Sequence, residues 1–130
     1  MKPLRTRFTL LCFSTIFAMA CSPLKQGINY TKNWQGGDAP GHIYATFDDF
    51  NGKQEFNAKR FTNGHMYVKY STNVPTGEMH LAIKCHSKMV LDRDVSGNVS
   101  DSIRFDNPGN EPVQFILKAR KAAGKFDITY

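Results

Sequence analysis

From Gly41 to Tyr130 apolar and polar residues alternate in short runs, and turn-forming residues interrupt each run. This pattern constrains the fold more than any other feature of the chain. A period of two lines up apolar side chains on one face of an extended strand, whereas a helix needs a period of 3.6. Ile43, Ala45 and Phe47 alternate with Tyr44, Thr46 and Asp48. Met66, Val68 and Tyr70 alternate with His65, Tyr67 and Lys69. Met79, Leu81, Ile83 and Cys85 follow the same rule, as do Ile103 with Phe105, Val113 to Ala119, and Phe126, Ile128 and Tyr130. The breaks are Asn51-Gly52, Asn63-Gly64, Pro75-Thr76-Gly77, Ser96-Gly97-Asn98, Pro108-Gly109-Asn110 and Ala122-Ala123-Gly124. Each is a turn signal, and Asn-Gly is the strongest hairpin signal because both central residues of that turn take positive φ. Runs recurring every 8–12 residues or so predict an all-β domain: a single antiparallel β-sandwich, jelly-roll-like, of about eight strands over residues 41–130. No window from 41 to 130 holds a helical period.

One pairing can be tested from the sequence. If 65–73 and 78–86 formed a hairpin, Met66, Val68 and Tyr70 would face Cys85, Ile83 and Leu81, and His65 would face His86. A Pro-Thr-Gly turn makes a three-residue loop with a bulge, which shifts that parity by one. The conflict suggests that the two runs lie in different sheets.

The first forty residues are of another kind. Met1 to Arg7 carries three positive charges and no acid, Phe8 to Phe17 is apolar, and Ala18-Met19-Ala20 is a small-residue cleavage region. This is the plan of a signal peptide over residues 1–20. Its apolar part is about half the ~20 residues that a permanent span requires. Residues 21–40 contain Pro23, Gly27, Gly36, Gly37 and Pro40 without a sustained period, and read as a tether. Trp34 is unusual for a linker and is expected to tuck onto the domain edge.

Charge separates along the same boundary. The full chain has 17 basic and 11 acidic residues, a formal net charge of +6. Without Lys2, Arg5 and Arg7 the balance is 14 to 11, or +3, an ordinary surface. That balance, in an exported protein, argues against a nucleic-acid partner. Ten Phe, five Tyr and one Trp exclude a disordered chain, and most of the Phe are expected in the core.

Phe17-Ala18-Met19-Ala20-Cys21 resembles a bacterial lipobox, with Ala18 where Leu is usual. The resemblance implies diacylglycerol on the Cys21 thiol, cleavage before it, and a membrane partner reached through the N-terminal lipid on the extracytoplasmic side of the cell envelope. More than one acyl chain gives stable attachment. Cys12 leaves with the signal peptide, so Cys85 would then be alone, inward and inert. In the alternative, Cys21 is not lipidated and pairs with Cys85 in a disulfide, making a secreted inhibitor or immunity-type protein.

Motifs for enzyme chemistry are missing from the sequence. There is no Gly-x-Ser-x-Gly, His-Glu-x-x-His, Cys-x-x-Cys or P-loop spacing. The expectation is a non-enzymatic module without a cofactor, whose partner is an envelope protein or a glycan. His80 and His86 share a face but stand six residues apart, roughly 20 Å along a strand, too far to chelate one ion. Asp92, Asp94, Ser96 and Asn98 resemble the start of a calcium loop, but Ile103 occupies the place of the terminal bidentate acid. A Ser-Gly-Asn turn with solvated acids accounts for the same residues. Lys118, Arg120, Lys121 and Lys125 form a late basic cluster, read as the solvated face of a strand.

A second resemblance rests on Gly77-Glu78-Met79-His80-Leu81-Ala82-Ile83, Ser102-Ile103-Arg104-Phe105, Pro112-Val113-Gln114-Phe115-Ile116-Leu117 and Gly124-Lys125-Phe126-Asp127-Ile128-Thr129-Tyr130. This pattern is similar to the pre-peptidase C-terminal type of sandwich. It implies a jelly-roll-like accessory or binding fold with no catalytic residues of its own.

Overall fold

The computed structural model describes residues 29–59 and 64–130. The signal segment, Cys21, Phe61 and Asn63 lie outside them. Seven strands form: β1 (Tyr30–Lys32), β2 (Gln35–Ala39), β3 (His42–Asn57), β4 (Gly64–Cys85), β5 (Lys88–Asp94), β6 (Gly97–Asn107) and β7 (Val113–Thr129). All pairings are antiparallel, in the order β1-β3-β7-β4-β5, with β2 also on β3 and β6 also on β4.

The fold is an antiparallel β-sandwich, as the alternation predicted, but seven strands replace the expected eight. Three of the predicted turns are not turns. Asn51-Gly52 lies inside β3, Pro75-Thr76-Gly77 inside β4, and Ala122-Ala123-Gly124 inside β7. Each marks a bulge where a long strand bends from one leaf of the sandwich to the other. The burial parity records it. In β3 the inward set changes from odd (Ile43, Ala45, Phe47) to even (Phe50), in β4 from even (Val68, Tyr70, Val74) to odd (Met79, Leu81, Ile83), and in β7 from odd (Phe115, Leu117) to even (Ala122, Phe126, Ile128). A one-residue slip reverses the face of every later side chain, so an extra residue at the bend keeps the apolar set inside on both sides of it. The register agrees: Phe47 faces Gly124, Phe50 faces Ala122 and Gly52 faces Ala119, so each strand contributes one extra residue.

Local chemistry stabilises the bend. Lys121 has φ 48°, and its N–H donates to Asn51 Oδ1 at 2.7 Å. Gly124 has φ +147°, and a Cβ there would stand 2.0 Å from the Asn73 carbonyl oxygen. The backbones of β4 and β7 approach too closely at this point for any side chain.

The first leaf therefore consists of β2, the start of β3, the end of β7, the start of β4, and β6. The second consists of β1, the end of β3, the start of β7, the end of β4, and β5. The hairpin considered for 65–73 and 78–86 does not form. These runs are the two halves of β4, and His65 stands opposite Asp106. Val113–Leu117 and Gly124–Thr129 are likewise one strand. β7 is central in both leaves, which explains its apolar character.

The tether boundary is corrected too. From Tyr30 the chain pairs with β3, and Trp34 between β1 and β2 stacks on Phe47 (centroids 5.6 Å apart) and meets Phe50 edge-on (5.5 Å). The glycines gave the segment a linker composition, while the indole ring joins it to the core. The opposite edge is closed between β5 and β6, where Arg93 Nη1 donates to the Tyr70 hydroxyl (2.9 Å) and to Asp101 Oδ2 (2.8 Å).

Candidate functional site

The outer face of the first leaf is a ladder of outward side chains from adjacent strands. One rung runs Gly37, Tyr44, Asp127, Ser71, Ser100; the next runs Gln35, Thr46, Lys125, Asn73, Asn98. A groove of about 430 Å³ crosses β3, β7, β4 and β6 at these rungs. Its prominent apolar surface is Tyr44, 43% exposed. Tyr44 sets an aromatic face among polar side chains, an amphipathic surface that can take an apolar ligand face beside hydrogen-bonding groups.

The Tyr44 ring is held in position. His42 stacks on it with centroids 4.7 Å apart and 28° between planes. Asp127 Oδ2 lies 2.9 Å from His42 Nε2 and fixes that ring in turn. Beneath Tyr44, Gly37 leaves the space the ring uses: a Cβ there would stand 2.9 Å from the ring. Farther along the same face Tyr67 is 55% exposed and pairs with Arg104, and Lys69 pairs with Ser102.

The second leaf's outer face has a different character. Lys53 Nζ contacts Glu55 Oε1 at 2.6 Å, and Gln114 Nε2 donates to Glu55 Oε2 at 3.2 Å. The hydrogen bond and charge of Lys53, aided by Lys84, hold the Glu55 carboxyl below the usual carboxylate range. His80 contacts Asp92 across β4 and β5. These groups surround Ala82 and Ile116, both only 7% exposed, around a depression of about 190 Å³.

The calcium candidates divide among different places. Asp92 pairs with His80. Asp94 Oδ1 accepts the Ser96 N–H at 2.7 Å, and hydrogen bonds from the Ser96 side chain and backbone keep its carboxyl below the usual range. Ser96 Oγ accepts the Met79 N–H at 2.9 Å. Asn98 lies across the turn, in the first-leaf groove. Among the described residues no group of three or more His, Cys, Asp or Glu side chains could hold a metal ion. The basic cluster is also divided: Lys118 and Arg120 belong to the second leaf, Lys121 to the bend and Lys125 to the groove. Cys85 is half-buried at the end of β4, opposite Val113, and has no disulfide partner among the described residues. Lipidation at Cys21, and the alternative Cys21–Cys85 disulfide, concern a residue outside the described ones.

Tyr44, Tyr67, His42 and Asp127 were not singled out as a site from the sequence. The legible signal was two tyrosines at outward positions of alternating runs.

No family model matches this chain, and no curated protein matches it. Among solved structures it is similar to CBM4, at 11% identity over 82% of this chain and 77% of that one, with a TM-score of 0.44. It is also similar to a variant of CBM29-2, a family 29 carbohydrate-binding module, at 8% identity over 81% and 73%, TM-score 0.39. A third is FLHE, at 15% identity over 79% and 95%, TM-score 0.32.

Proposed function

We propose that this chain is a cell-envelope lipoprotein, anchored by lipid on Cys21, whose β-sandwich is a non-enzymatic module that binds a glycan on the outer face of its first leaf. The observation that carries the reading is the groove across β3, β7, β4 and β6 with the Tyr44 ring fixed at its side. An aromatic face packs against the C–H face of a sugar ring, while side-chain amides, hydroxyls and charges serve its hydroxyls. Asn73, Asn98, Ser71 and Lys125 supply those polar groups. Among the described residues Asp127 is the only carboxylate lining the groove, and it is engaged by His42. The pair of carboxylates used in glycoside hydrolysis is therefore lacking there, which supports binding without cleavage. The anchor rests on the sequence, where a cationic start, a short apolar stretch and small residues precede Cys21.

Affinity electrophoresis of the mature protein through gels containing neutral or acidic polysaccharides tests the module. Retardation that Tyr44→Ala weakens about tenfold, roughly the loss of one good stacking contact, supports it. No retardation in any gel overturns it. Intact mass tests the anchor: a chain starting at Cys21 with about two or three acyl groups is expected. A bare chain lighter by the two hydrogens of a disulfide would instead establish the Cys21–Cys85 form.

A further inference from the structure

We infer that the outer face of the first leaf takes a linear glycan bearing anionic groups, lying diagonally from the groove at Tyr44 to Tyr67 beyond it; this rests on the glycan reading above. Two cations, Lys69 and Arg104, lie along that diagonal, and a third, Lys125, stands one rung away on the other side of Tyr44. Lys125 stands between Thr46 and Asn73, Lys69 between Thr129 and Ser102, and Arg104 opposite Tyr67. None of the three makes an ion pair among the described residues. All three are exposed. Of the carboxylates on this face, Asp127 already faces His42, and Asp106, two residues from Arg104 on β6, stands opposite His65. The face therefore presents positive charge that the fold does not neutralise, next to two exposed aromatic rings.

The geometry sets the ligand's shape. Tyr44 and Tyr67 are two strands apart and four residues apart along the strands, which places their Cα atoms roughly 16 Å from each other. A single sugar cannot reach both rings, but a chain of several linked sugars can. Thr129 lies between the two tyrosines, Ser71 shares the rung of Tyr44, and Ser102 flanks Lys69. A carboxylate or phosphate on such a chain meets Lys69 and Arg104 when the chain stacks on Tyr67.

Two matched pairs of probes test this on the mature protein. The first is oligogalacturonate against its neutral methyl ester, and the second is phosphomannan against dephosphorylated mannan. The acidic form of at least one pair should bind about tenfold tighter in low salt, and that preference should collapse near 1 M salt, where the Debye length is about 3 Å. The pair that shows the preference identifies carboxylate or phosphate. The double variant Lys69→Gln, Arg104→Gln should erase the preference, so that acidic and neutral forms bind it equally. Tyr67→Ala should weaken long oligomers several-fold and leave the disaccharide unaffected. Equal binding of acidic and neutral forms, with Tyr44→Ala weakening both, overturns this inference and leaves the glycan reading standing. No binding of either pair overturns both.

Discussion

The two outer faces of the sandwich are made from the same three long strands, yet they differ in what stands beside their charges. On the second leaf, Lys53 and Gln114 both bond Glu55 and His80 bonds Asp92, while Lys84, Lys118 and Arg120 make no ion pair among the described residues. On the first leaf, Lys69, Arg104 and Lys125 have no carboxylate partner among the described residues, and Tyr44 and Tyr67 are open to solvent. Exposed pairs such as those of the second leaf add little stability, but they do mask each other's field. Both faces hold unpaired cations, so charge alone does not tell them apart. The first leaf adds two open rings, Tyr44 and Tyr67, and the combination of ring and charge is what a partner can use.

The largest effect is expected at the bend, which both faces share. Gly124→Val forces a Cβ toward the Asn73 carbonyl at a φ that valine disfavours, and should cost about 3 kcal/mol or more in urea unfolding. A Gly124→Val protein of normal stability would show that the bend does not hold the two leaves together. Trp34→Ala removes an indole packed on Phe47, Phe50 and Phe126, and should cost roughly 2–3 kcal/mol because the ring is only partly buried. An unchanged urea midpoint would return residues 30–39 to the tether.

Smaller effects distinguish the faces directly. Tyr44→Ala should abolish most glycan binding while changing stability by no more than about 0.5 kcal/mol. Gly37→Ala should weaken the same binding several-fold by displacing the Tyr44 ring. Glu55→Gln, on the second leaf, should leave binding unaltered; a loss as large as that of Tyr44→Ala would move the site to the other face.

The smallest effect concerns the edge where the leaves meet. The Ser102 N–H, then Arg93, hold the Asp101 carboxyl below its usual range. Its folded pKa is thus lower than its unfolded one, near 3.9. The stabilisation is present above that unfolded value and fades as pH falls through the folded value. Asp101→Asn should melt slightly below the wild type at pH 7, with the gap closing below about pH 4. A gap that persists in acid would mean that the carboxylate charge plays no part.

The alternating runs were legible because a strand's two faces are written two residues apart. Ile43, Val68, Leu81, Phe115 and Ile128 are buried where that period places them. The runs were miscounted because a bulge and a hairpin turn use the same residues. Gly52 has φ 109°, which suits either, and only its position opposite Ala119 shows that the strand continues. Trp34 was hidden by the glycines around it. Tyr44 and Tyr67 were visible as outward aromatics, but nothing local related them to each other.

The all-β class, the inward residues of each run and the positions where the chain changes direction are local properties, each set by neighbours within a few residues. Whether those changes are turns or bends, and hence which side chains share a face, depends on pairing between distant strands. Tyr44, Asp127 and Ser71 form one rung although they come from three distant parts of the chain. Their adjacency depends on the register between strands, and each extra residue at the bend reverses the face of everything beyond it.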